Sequence, residues 1–152
     1  MGRKGLNVLV AGLRKLPPSS RRPKLFARAV KTAFARERSK AQGEVSVVFL
    51  PRDKMRALNR QFLGHDHDTD VISFEHDILP VTPAGERPVG DIYISSWMAV
   101  RQAKQLGHGV LHEALSLAVH GALHLLGHDD TAPRQKALMF RRQDEILAKL
   151  ER

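Results

Sequence analysis

Hydrophobic and polar positions alternate along Glu44–Leu50 (EVSVVFL), and this valine-rich run predicts a strand. An earlier apolar run, Leu6–Leu13, is bounded by Gly5 and Pro17-Pro18 and predicts a first strand. Between the two, the period changes. Leu25, Phe26, Ala29, Val30, Ala33 and Phe34 share one face of a helix from about Arg22 to Arg38, with basic residues on the other face and Ser20 as its expected cap. Asp53–Phe62 repeats Met55, Leu58 and Phe62 at helical spacing, and Asp70–Phe74 (DVISF) predicts a short buried strand. His76–Val89 contains three prolines and a glycine and predicts a loop or hairpin excursion, followed by a strand at Ile92–Ile94. Ser95 or Ser96 caps a helix reaching about Leu106, and His108-Gly109 breaks the chain. A strongly apolar helix then runs from about Val110 to Leu126, with Gly127 as its stop. Pro133 opens a last helix to Leu150. Strands and helices mix without strict alternation, which predicts an α+β fold.

Composition narrows the chemistry. The 152 residues support one domain over 1–152, and no internal repeat divides them. The absence of cysteine excludes disulfides, thiolate zinc sites, iron–sulfur clusters and a cysteine nucleophile. No apolar run approaches the length of a membrane span. The N-terminal apolar piece is interrupted by Arg14 and Lys15, so a cytoplasmic protein is expected.

Charge adds a direction. The net charge is +9, yet the first 40 residues hold 12 bases and one acid, Glu37, and carry +11. The remaining 112 residues hold 13 bases and 15 acids and carry −2. Such asymmetry fits a polyanion such as nucleic acid against the N-terminal face; a solvated helix face explains it equally well. No interleaved basic–aromatic platform is visible.

The most informative segment is His120-Gly-Ala-Leu-His124-Leu-Leu-Gly127-His128-Asp129-Asp130. Histidines four apart project from one helical face and can grip one metal ion. Gly127 lets the chain fold back, so that Asp130 or His128 can complete three ligands and leave one position open, as in catalytic zinc sites. Asp130 keeps the spacing of known three-ligand sites; His128 has less room to turn. The pattern H-x-x-x-H-x-x-G-x-x-D is similar to that of metzincin peptidases, but Gly121 stands where their general-base glutamate follows the first histidine. That counts against peptide hydrolysis.

His120 to Asp130 also resembles the hallmark H-G-x-L-H-L-x-G-[YFH]-x-[HD] of the YbeY endoribonucleases, or rRNA maturation factors. LNRQF at Leu58–Phe62, TDVISF at Thr69–Phe74, GDIYIS at Gly90–Ser95 and LMFRRQDEIL at Leu138–Leu147 look like further signature blocks, in the family's order. The resemblance covers most of residues 44–150; the first 40 match only in outline. It implies a small mixed four-stranded sheet packed with about five helices, with the histidine helix at the centre. It implies one bound Zn2+, held by His120, His124 and the residue at position 130. It implies cleavage of single-stranded RNA in 16S rRNA 3′-end maturation and ribosome quality control. The implied partners are 16S rRNA and the small ribosomal subunit, with ribosomal proteins and a ribosome-associated GTPase as further contacts.

Two departures from the family pattern matter. Most members carry histidine where this chain has Asp130; a carboxylate is an equally sound zinc ligand, and its charge makes a bound water less acidic. Many members carry an RNA-contacting arginine directly after the aromatic, where this chain has Leu63; Arg60 is the substitute expected here.

Other positions are weaker candidates. Asp91 is expected to orient a ligand histidine, although a turn aspartate reads the same. His128 and Asp129 are the nearest general-base candidates. Arg21, Arg22, Lys24 and Arg28 are expected to track phosphates, and Ser73 to line the groove. His65, Asp66 and His67 read as loop polarity, and His112 as a neighbour of the site at most. A non-catalytic ribosome assembly factor with a structural metal is the rival from another class; four protein ligands would mark it.

Overall fold

The valine-rich alternation is the centre of a sheet in the computed structural model, which describes residues 5–76 and 88–150. Strand β2, Gly43–Leu50, buries Val45, Val47 and Phe49 on one face and half-exposes Glu44, Ser46, Val48 and Leu50 on the other. A sheet with one fully buried face shows this period-two signature. Strand β1 (Leu6–Ala11) pairs parallel with β2, β4 (Pro88–Ser95) pairs parallel on its other side, and β3 (Val71–Glu75) closes the sheet antiparallel to β4. The order is β1-β2-β4-β3, a mixed sheet of four strands. β3 is therefore an edge. Only Ile72 in it is buried, so DVISF is less enclosed than its apolar content predicts.

Five helices accompany the sheet: α1 (Pro23–Arg36), α2 (Arg52–Leu63), α3 (Ser96–Leu106), α4 (Val110–Leu125) and α5 (Pro133–Leu150). α4 is the hub. It packs on β3 and β4 and is flanked by α1, α3 and α5. Ten of its sixteen residues are buried, which explains its nearly unbroken apolar sequence. α1 buries Phe26, Ala29, Val30, Ala33 and Phe34, the predicted stripe, and the Phe26 ring meets Phe49 of β2 edge-on at 5.1 Å.

Local rules fix most boundaries. The Ser95 hydroxyl accepts from the Met98 amide at 3.1 Å and caps α3. Ser20 does not cap α1: it is buried in a 3₁₀ turn, Pro18–Ser20, and Arg22 holds the cap position ahead of Pro23. In α2 the buried pair is Met55 and Asn59, whereas Phe62 is exposed. Asn59 faces inward because its amide donates to the His67 carbonyl at 3.0 Å, tying down the following loop. The excursion expected over His76–Val89 lies, apart from its ends, outside the described residues. Those ends meet through a hydrogen bond from the His76 amide to the Val89 carbonyl at 3.1 Å. No helix among the described residues is long and apolar enough to cross a membrane.

Candidate metal centre

α4 carries His120 and His124 one turn apart near its C-terminal end, with ring centroids 4.8 Å apart. Leu126 caps the helix, and Gly127 adopts φ +95°, a left-handed conformation that a side chain disfavours. The chain reverses there and returns Asp130 to the two rings. His120 Nε2 lies 3.4 Å from Asp130 Oδ2, and His124 Nε2 lies 3.7 Å from the same oxygen. One ligand atom from each of the three falls within 4.8 Å of the others, the only such group among the described residues.

These distances discriminate. Donors about 2.1 Å from a tetrahedral ion stand about 3.4 Å from one another. Ordinary hydrogen bonds between such groups are shorter, about 2.7–3.2 Å. Asp130 stands close to ligand spacing, 3.4 and 3.7 Å from the two rings. Two imidazole nitrogens and one carboxylate oxygen suit a divalent ion of the zinc type, and the donor set fits. Burial, with His120 close by as the second cause, holds the His124 imidazole below its ordinary pKa, which favours the neutral, ligating form.

The residue behind His120 is not the expected one. Asp91 does not reach a ligand histidine: its Oδ2 pairs with His76 Nε2 at 2.8 Å, across the β3–β4 pair. Gln143 of α5 takes that place. Its Oε1 lies 3.0 Å from His120 Nδ1, and its Nε2 donates to the Ser116 hydroxyl at 2.7 Å. With the amide oxygen facing His120, Oε1 accepts from an Nδ1–H and leaves the Nε2 lone pair toward Asp130. Reading the sequence for metal chemistry misses Gln143, because an amide in an amphipathic helix looks like a surface residue. The one available signal is that position 143 lies on the face of α5 defined by Met139, Ile146 and Leu150, all of them buried.

The other predicted residues are dispersed. His128 turns away from the cluster and pairs with Glu37, the single acid of the basic quarter, and Arg142 approaches the same carboxylate at 3.8 Å. Asp129 accepts from the Thr131 amide at 2.9 Å, and these turn hydrogen bonds hold its carboxyl below the ordinary range, making it a poor proton acceptor. Arg60 is exposed on α2, a different element from the cluster. Ser73 does not face an open groove: its hydroxyl donates to the Gly121 carbonyl at 2.9 Å, pinning β3 to α4 beside His120. Arg21 spends its guanidinium on the Leu16 and Arg14 carbonyls at 3.0 and 3.4 Å. Arg22, Lys24 and Arg28 are exposed, and Lys24, Arg28 and Lys31 border one shallow groove along α1. His65 and His67 stack at 5.3 Å while Asp66 pairs with Arg56 at 3.3 Å.

Gly121 has little room for a side chain. A Cβ there would lie 2.5 Å from Ile92 Cγ2 and 3.0 Å from the Ser73 hydroxyl. The position faces the sheet, so no glutamate on this backbone could act as a base from it.

Comparison with known proteins agrees with this geometry. The family model described as "Endoribonuclease YbeY" matches residues 14–151. A protein named Endoribonuclease YbeY from Elusimicrobium minutum is 38% identical over 136 residues, covering 90% of this chain and 94% of that one. Its namesake from Lysinibacillus sphaericus is 41% identical over 129 residues, covering 81% and 82%. The solution structure of TM1509 from Thermotoga maritima shares the fold, with a TM-score of 0.60 at 23% identity over 95% of this chain and 89% of that one. By sequence match over nearly its whole described length, the chain belongs to the YbeY endoribonuclease family.

Proposed function

We propose that this protein is a metal-dependent endoribonuclease that cuts single-stranded RNA, acting in 16S rRNA 3′-end maturation and ribosome quality control. The observation that carries the reading is the meeting of His120, His124 and Asp130 at ligand spacing, in a chain of this family. Zn2+ is the ion proposed for the site. A bound divalent ion of this kind supplies Lewis acidity toward a phosphoryl oxygen and a water of lowered pKa.

The chain's own residues do the rest. Gln143 holds His120 in the tautomer that leaves Nε2 free to ligate. The Gly127 reversal brings the Asp130 carboxylate to the His120 and His124 rings. Three protein ligands, the number found among the described residues, would leave one position on a four-coordinate ion for the reacting group, where a structural site would use four. Arg22, Lys24 and Arg28 attract the phosphate backbone along α1 without reading sequence. The 16S rRNA of the small ribosomal subunit is the substrate proposed, with ribosomal proteins and a ribosome-associated GTPase as neighbours there.

The test incubates purified protein with a single-stranded RNA, with and without chelator. Cleavage that requires metal and disappears in His124→Ala is the expected result. Cleavage that persists unchanged in that variant would sink the site assignment. Binding to small subunits without any cleavage would favour a non-catalytic assembly factor instead.

A further inference from the structure

We propose that the cleft beside His120, walled by α3, α4 and α5, holds one unstacked nucleobase of the RNA whose backbone lies at the metal centre; this rests on the nuclease reading above. The cleft has a volume of about 520 Å³, and His120 is one of its lining residues. That is within the roughly 300–1,000 Å³ usual for small-ligand sites. A base hangs one ribose away from its phosphate. A phosphate at the ligand group and a base in the adjoining cleft are therefore compatible.

The wall chemistry selects the base over the phosphate. Asp70, Glu113 and Asp144 line the cleft, and no lysine or arginine does. Carboxylates repel a phosphate but accept from the amino and imino groups on a base edge. Asp70 is already committed, to the Val71 amide at 2.8 Å and to Gln102 at 3.2 Å. Glu113 gives one oxygen to His108 at 2.6 Å. Asp144 is exposed on α5 at the cleft wall and is the acceptor best placed for a ligand.

The stacking surface is Phe140. It lines the same cleft, is 42% exposed and lies outside the buried core cluster. Its ring centre is 6.1 Å from that of His120, and Lys136 Nζ stands 5.9 Å from it. A large aromatic left open at the cleft has a π-face to offer, and base–aromatic stacking tolerates every base. The first 40 residues would thus attract the strand by charge, while Phe140 and Asp144 take hold of one base next to the scissile bond.

The test titrates the full-length protein with adenosine 5′-monophosphate, uridine 5′-monophosphate and ribose 5-phosphate, following amide shifts at Ser116, Phe140 and Gln143. Both nucleotides are expected to bind at least about tenfold more tightly than the sugar phosphate, a typical gain for one stacked base. Phe140→Ala should abolish that advantage and Phe140→Tyr should keep it, with both variants folded because the ring is exposed. Equal binding of all three compounds to the wild type, or an advantage that survives Phe140→Ala, overturns the proposal. Cleavage of a single-stranded RNA by the same preparations separates the two readings. If the wild type does not cut, the nuclease reading falls while the nucleotide titration still decides the cleft. If Phe140→Ala cuts with unchanged KM, the base site falls alone.

Discussion

Gln143 shows how one neutral side chain can set the electronics of a metal ligand. Its amide bridges Ser116 and His120, so the partner of His120 Nδ1 comes from α5, 23 residues away in sequence. Gln143→Leu keeps the volume and removes the acceptor. Metal affinity in that variant should fall about 10–100-fold, the usual cost of losing such a partner. Gln143→Glu should retain most of it. Competition with a chromophoric chelator measures both. His124 adds a pH effect in the metal-free protein. Its folded-state pKa lies below the ordinary 6.5, so the unfolded chain binds more protons in the window just beneath that value. Stability is therefore fully present above pH 6.5 and declines as pH falls through it. Urea unfolding at stepped pH in the presence of chelator should show the decline, and His124→Gln should flatten it.

At the scale of elements, β2, α1, α4 and the Ser95 cap were legible because each rests on a strictly local rule: period two, period 3.6, or a hydroxyl ahead of a helix. The histidine spacing belongs to the same class, since four residues on a helix define a face whatever surrounds it. Failures came where a distant partner decides. Ser20 is an acceptable cap by type, but the Pro18–Ser20 turn buries it. Phe62 has the right spacing for a core position, yet Asn59 takes the inward place because the His67 carbonyl needs a donor. Asp91 finds His76 rather than a ligand because the register that pairs it with Phe74 leaves His76, two residues on, as its diagonal neighbour on the same face. Gly121 is a point of close approach between helix and sheet. Gly121→Ala gains helix propensity of about 1 kcal/mol. The clash with Ile92 should outweigh it, for a net loss of about 1–2 kcal/mol. A lowered urea midpoint with an unchanged slope would establish this.

On the whole molecule, the bases proposed to attract RNA and the ligand group stand on different elements. Arg22, Lys24 and Arg28 are exposed at the start of α1, whereas the ligand group lies at the end of α4 and its return. The two are joined structurally by the His128–Glu37 pair, which ties the return to the end of α1. Replacing Arg22, Lys24 and Arg28 with glutamine should weaken RNA binding and lower the magnitude of the salt slope by about 2, at about 0.7 per phosphate contact on a single strand. Bound metal per chain should not change. Arg21 is better left intact, because it holds the Leu13–Ser20 turns through backbone carbonyls. Loss of metal in the triple variant would mean that the two surfaces are not independent.

The reversal at Gly127 has a consequence for the order of assembly. All three donors of the metal centre lie within residues 120–130, so the ring an ion closes is short and its entropic cost is small. Chelation of that kind has low contact order and needs only the end of α4 and the turn. The sheet, by contrast, brings β1 to β2 across 37 positions and β2 to β4 across more than 40. A bound ion would therefore need only the end of α4 and its turn, not the finished sheet, while the Gln143 contact from α5 orients His120 in the folded protein.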